Sequence, residues 1–239
     1  MKLLKRIMKT ALIAALGLTM MTACGGGGGV PSQNIEWENS RTYSYFSAKG
    51  ITPEQFMIKA SVWTSPTAGY EFQYAVKENL ASCKISIGEM QVDKNDNVYK
   101  YELDNRQMAI SQYHWVKYLA QSKKAIEEAP KIRLGYNYFT VPVKQNVVSI
   151  LASTGEYSVD GKQYYTETIK LKQDNTLRTY VYGYDGTELK FIQTDVTKMT
   201  ADASGITGVT EITLGSIELK GVADEKFFEL PEYYQTVEE

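Results

Sequence analysis

Residues 56–64 read FMIKASVWT and residues 70–76 read YEFQYAV. The first run puts Phe56, Ile58, Ala60 and Val62 on alternate positions. The second does the same with Tyr70, Phe72, Tyr74 and Val76. A period of two belongs to a strand with one buried face, whereas a helix repeats its apolar positions every three to four residues. Between the two runs lie only SPTAG, which is turn chemistry and too short for the crossover that parallel strands require. The two runs therefore predict an antiparallel pair.

The same rhythm continues along the chain. CKISI groups Cys83, Ile85 and Ile87, and VYKYEL groups Tyr99, Tyr101 and Leu103. Later runs at 147–151, 165–171, 178–184, 188–194 and 208–219 alternate likewise. Between them stand KNDN (94–97), LDNR (103–106), VDGK (159–162), QDNT (173–176) and YDGT (184–187), with the Asp, Asn and Gly that tight hairpins favour. These spacings predict an antiparallel sheet that is largely a meander. One segment departs from it. Residues 118–134, YLAQSKKAIEEAPKIRL, contain helix formers up to Pro130, and Leu119, Ala125, Ile126 and Ala129 form an apolar stripe. They predict one helix packed over a sheet face or mouth. At 52–55, TPEQ carries a capping signal that a single turn leading into a strand would satisfy.

The N-terminus is of another kind. MKLLKRIMK is a basic stretch, TALIAALGLTMM an apolar one, and small residues precede Cys24. That order is a signal peptide over 1–23, and the apolar stretch is short against the roughly 20 residues of a membrane span. MTAC (21–24) resembles the lipobox of bacterial lipoproteins, with Met21 where Leu is usual. The resemblance implies a lipidated Cys24 at the mature N-terminus, a membrane anchor and an extracytoplasmic location, the outer membrane in a diderm cell. An ordinary signal sequence with an incidental Cys24 is the alternative. Residues 24–40, five glycines among them, are expected to form the anchor and a flexible tether, leaving 41–239 as one domain.

Composition narrows the chemistry. Beyond residue 23 the chain holds 22 basic and 28 acidic side chains, a net charge of −6, which gives no electrostatic case for nucleic acid. His114 is the only histidine, and with Cys24 lipidated Cys83 is the only thiol, so no intramolecular disulfide forms. Cys83 alternates with Ile85 and Ile87, a core position, and a Cys83–His114 dyad has nothing else to recommend it. Glu167 and Asp195 are carboxylates without a decisive spacing, and the DKNDN loop (93–97) lacks the rest of a calcium site. No catalytic residue, metal or cofactor is expected. The compositional oddity is 18 tyrosines against 7 phenylalanines. Arg178, Tyr180, Tyr182 and Tyr184 share one strand face. It suits a protein or glycan contact, a cavity lining, or an exposed face held by cross-strand aromatic pairs.

Three stretches also resemble the LolA/LolB and LppX-like group of lipoproteins. The chain end DEKFFELPEYYQTV (224–237) carries an F-x-L-P-x-x-Y pattern at Phe228, Leu230, Pro231 and Tyr234. NVYKYELDNRQMAI (97–110) is similar to that group's Y-x-L-D hairpin, and 156–170 with 179–192 to its later meander. The resemblance spans about residues 50–237. It implies a strongly curved antiparallel sheet, a half-open β-barrel capped by helix, enclosing an apolar cavity for acyl chains or a lipid-modified partner. Inward positions for that ligand would be Phe72, Tyr74, Ile85, Ile87, Tyr99, Tyr101, Ile169 and Leu171. The chain departs from the group in showing one clear internal helix rather than several. The rival expectation is a non-catalytic interaction module using the Arg178–Tyr184 face.

Overall fold

The two founding runs pair antiparallel, Ile58 opposite Tyr74 and Ala60 opposite Phe72, and the sheet grows from them in both directions. A computed structural model describes residues 30–65, 68–85, 88–104, 112–135, 138–159, 162–173, 176–195 and 211–237. Its first meander comprises β2 (Gln55–Ser65), β3 (Ala68–Lys77), β4 (Leu80–Ile85), β5 (Gly88–Val92), β6 (Val98–Asp104) and β7 (Gln112–Tyr118). The second comprises β8 (Val147–Val159), β9 (Lys162–Gln173), β10 (Thr176–Asp185), β11 (Glu188–Asp195) and β12 (Glu211–Lys220). β12 pairs antiparallel with β2, Leu214 opposite Val62, and joins the two meanders into one sheet.

Each outer edge is covered by a terminal segment. β1 (Val30–Asn34) lies on β8, and the three-residue β13 (Gln235–Val237) lies parallel on β7. The result is one open, curved sheet of thirteen strands among the described residues, not closed into a barrel. Of the expected turns, those at 94–97 and 184–187 are described and fall where Asp and Gly predict them; residues 105–106, 160–161 and 174–175 of the others lie outside the described residues. Gly186 takes φ +58° between β10 and β11, and Asp93 Oδ1 accepts from the backbone N–H of Asn95 and Asn97. Thr52–Gln55 is a single turn feeding β2.

Two helices lie among the described residues. α1 (Arg41–Ala48) is capped by the Ser40 side chain, which accepts from Tyr43 N–H at 3.0 Å. α2 (Lys123–Arg133) is capped by Ser122, which accepts from Ala125 N–H at 3.0 Å. Phe46 of α1, Ala125, Ala129 and Ile132 of α2, and Tyr138, Phe139 and Val141 beyond it all join the main core with the inner sheet face. The core is strongly aromatic. Phe72 stacks on Tyr138 at 5.3 Å, Phe56 meets Phe139 edge-on at 5.3 Å, and Phe46 meets Tyr182 at 6.0 Å. Each such ring contributes about 1.5–3 kcal/mol by leaving water. Gly135, at φ +58°, brings backbone against the Tyr74 ring, where a Cβ would come within 2.5 Å of it.

Four expectations need correction. The domain begins before residue 41, because β1 joins the sheet and Trp37 is buried; Cys24 and residues 25–29 lie outside the described residues. α1 was not anticipated, since its apolar content is slight and what holds it is remote in sequence. α2 starts at Lys123, as β7 continues to Tyr118, and it passes through Pro130. The proline removes the bond to the Ile126 carbonyl, at a position where the helix faces solvent. Ile132, not Ile126, completes the buried stripe. Lastly, Tyr99 and Tyr101 do not share the inner face with Phe72 and Tyr74. Tyr99 stands opposite Gln91 and Lys117, and Tyr101 opposite Trp115, while Val98 and Val116 point into the core.

Candidate functional site

The inner sheet face holds five of the eight expected ligand-lining residues. Phe72, Tyr74, Ile85, Ile169 and Leu171 are all buried there, beneath α1, α2 and the irregular segment 138–143. Ile87 lies outside the described residues. The face is filled by the chain's own aromatic side chains. The Arg178–Tyr184 set shares one face as the alternation requires, but that face is the inner one. Tyr180, Tyr182 and Tyr184 are 0–1% exposed, so they present no outer contact surface. Burial pushes the hydroxyls of Tyr74, Tyr182 and Tyr184 well above the ordinary tyrosine range.

The cover is attached to the sheet by side chains, not by strand pairing. Its main fastening is Glu167, a fully buried carboxylate on β9. One oxygen accepts from Arg41 N–H at 2.6 Å, the other from Thr42 N–H at 2.8 Å and Thr42 Oγ1 at 2.6 Å. Tyr165 donates to Glu167 at 2.9 Å, and Tyr184 donates to Thr42 Oγ1 at 2.9 Å. The first turn of a helix has free N–H groups and partial positive charge, so a carboxylate there satisfies both needs. Glu167 therefore clamps α1 to the sheet and is spent as a hydrolytic carboxylate. Further fastenings are Tyr70 with Tyr138, oxygen to oxygen at 2.8 Å, Tyr182, which donates to Thr140 O at 3.4 Å, and Arg133 of α2, which pairs with Asp96 and donates to Asn79 O at 3.4 Å. On the same inner face Gln173 is 7% exposed, and neither end of its amide has a hydrogen-bond partner.

Beside α1 lies a groove of about 730 Å³, walled by the β10–β11 hairpin and by β12. Tyr45, Leu189 and Ile217 supply its apolar surface, and Arg41, Lys49 and Lys190 its cations. β12 makes room by a bulge, its register slipping between Gly215 and Glu218 with Ser216 at φ +50°.

The outer face carries an aromatic cluster, of which Tyr101 was expected on the inner side. Tyr101 stacks on Tyr113 at 5.3 Å and 19°, with Trp115 at 5.6 Å from Tyr101. Tyr113 is 44% exposed, and Tyr233 nearby in sequence to β13 is 80% exposed. Alternation from Tyr99 to Leu103 and from Tyr113 to Trp115 was the available signal. It marked a shared face without marking which.

The remaining candidates stay apart. Cys83 is buried opposite Tyr74 and Met90, and burial raises its thiol far above the reactive range. His114 sits on β7 opposite Glu102. Three strand spacings of about 4.8 Å, with a further two-residue offset along the strand, put it more than about 14 Å from Cys83, so the two form no dyad. Asp93 is engaged in its own turn, and no cluster of three metal-binding side chains occurs among the described residues. No helix among those residues is long and apolar enough to cross a membrane. No protein-family model matches the chain, and no curated protein matches it in sequence.

Proposed function

We propose that this chain is an extracytoplasmic lipoprotein of LolA-like type, anchored at Cys24, that holds an apolar ligand between its open sheet and the cover over the inner face. The ligand would be a lipid or a lipid-modified protein. One observation supports the reading: among the described residues, an unclosed, aromatic-lined sheet face is covered by two short helices, the turn holding Trp37 and the irregular segment 138–143. Lifting the cover breaks no strand pairing. It breaks the Glu167 clamp, the Tyr70–Tyr138 and Tyr182–Thr140 contacts, the Arg133–Asp96 pair and apolar packing. Unlike Glu167, whose oxygens are taken up by α1, the unbonded Gln173 amide leaves a polar partner at one end of the lining, as ligand sites commonly do.

The test is native mass spectrometry and solvent extraction of the full chain, followed by titration with a fluorescent fatty acid. Co-purified lipid or uptake of one probe per chain is expected, with greater uptake in Phe139→Ala, which vacates space under the cover. No lipid and no uptake in either protein would overturn the reading. Cys24→Ser should release the protein from membranes without altering probe uptake.

A second reading has its own observation. The Tyr101–Tyr113–Trp115 cluster is a stacked aromatic surface on the outer face, the kind that meets a protein or glycan partner in an envelope interaction module. It takes over that role from Tyr180, Tyr182 and Tyr184.

A further inference from the structure

The groove beside α1 differs from the rest of the domain in charge. The chain beyond residue 23 carries a net −6, yet the groove brings Arg41, Lys49 and Lys190 together against the single acid Glu188. Its cations are held in place. The Arg41 guanidinium lies over the Tyr165 ring at 4.0 Å from the centroid, and its Nη1 donates to Gly186 O at 2.6 Å. That bond uses one of five donors. Lys49 Nζ lies 4.9 Å from the centre of the Tyr45 ring, and Lys190 pairs with Glu188. Between these cations the surface is apolar, formed by Tyr45, Leu189 and Ile217.

Cations around an apolar patch select an amphiphile with an anionic end. We propose that this groove binds the phosphate-bearing headgroup of an anionic membrane phospholipid. The phosphate sits among Arg41, Lys49 and Lys190, and the glycerol and first acyl carbons lie on Tyr45, Leu189 and Ile217. A guanidinium fork and two ammonium groups match the several oxygens of a phosphate better than a lone carboxylate. The local surplus of two positive charges favours an anionic lipid over a zwitterionic one, whose own cation would face the lysines. The choice of a bilayer lipid as occupant rests on the reading that Cys24 holds this domain at a membrane. The groove lies on the flank of the same helix, α1, that covers the inner face, and Leu189 borders both.

Calorimetry on the full chain carrying Cys24→Ser tests the proposal with dihexanoyl-phosphatidylglycerol, dihexanoyl-phosphatidylcholine and inorganic phosphate at low salt. The phosphatidylglycerol should bind most tightly, and Lys49→Gln with Lys190→Gln should weaken it about tenfold or more. Glu188→Gln should tighten it several-fold, an effect a purely structural role would not give. Both lysines are exposed, so thermal melting should not change. Equal binding of the zwitterionic lipid, equal binding of phosphate alone, or indifference to the lysine pair would overturn the proposal. Fatty-acid uptake by the same samples separates the two sites. Groove binding lost with uptake intact overturns the groove alone. Uptake absent with groove binding intact overturns the inner-face reading alone.

Discussion

Two sets of aromatic residues, Tyr180–Tyr182–Tyr184 on β10 and Tyr101–Tyr113–Trp115 on β6 and β7, share one alternation and meet opposite surroundings. The first set is packed against Phe46, Tyr45 and Tyr165 under the cover. The second stacks on itself on the outer face. Tyrosine fits both places because its ring is apolar and its hydroxyl is not. What separates the two sets is the cover, which overlies the inner face only. Local pattern assigns partners across a strand pair. The long-range placement of α1 and residues 138–143 assigns inside and outside.

The largest expected effect follows from the buried set. Tyr74, Tyr182 and Tyr184 ionise near pH 10 when unfolded, and burial raises that value in the folded protein. Their contribution to stability is complete below pH 10 and is lost as pH climbs above it, because the unfolded state releases protons first. Tyrosinate absorbance from these residues should therefore appear together with loss of circular dichroism, as one alkaline transition. Ionisation of the set in a still-folded protein would show that the inner face is open to water, and the contrast would fail.

Next in size is Tyr182→Ala, which empties a fully buried ring position and should cost about 3–5 kcal/mol in urea unfolding. A loss under about 1 kcal/mol would mean that Tyr182 is not packed as described. The smallest effect belongs to the outer set. Tyr113→Ser should change stability by no more than about 1 kcal/mol, the worth of one exposed cross-strand aromatic pair. If the outer cluster is an interaction surface, the triple serine variant at Tyr101, Tyr113 and Trp115 should abolish partner capture at an unchanged melting temperature. Loss of both together would make the cluster structural.

Antiparallel pairing and the longer strands of both meanders were legible in the sequence because they depend on near neighbours, whereas the short β1, β5 and β13 carried no alternation to read. Ile58, Tyr74 and Cys83 fell on one face as their spacing required. The sidedness of Tyr99 and Tyr101 was not legible, since tyrosine suits either face and the pairing with Gln91 and Trp115 gives no apolar bias. α1 was not legible because a buried acid 125 residues further on, Glu167, supplies the partner for its Thr42 N–H. The groove depends on the same distant meeting of Arg41 with the β10–β11 hairpin. Candidate site residues in the core were readable as apolar positions, and their enclosure was not.

The junction of β12 with β2 has a consequence for the order of assembly. Within each meander, every pairing joins strands adjacent in sequence, so loop closure is cheap and each half forms early. The β12–β2 ladder closes a span of about 150 residues, with Leu214 meeting Val62. As the chain is synthesised from its N-terminus, β2 to β7 are complete while β12 does not yet exist. Until residues 211–220 arrive, β2 presents an unpaired edge with Ile58, Ala60 and Val62 alongside it, open to pairing with a second nascent copy. A slow final phase in refolding, sensitive to substitutions in β12 and to protein concentration, is the kinetic signature of that late joining.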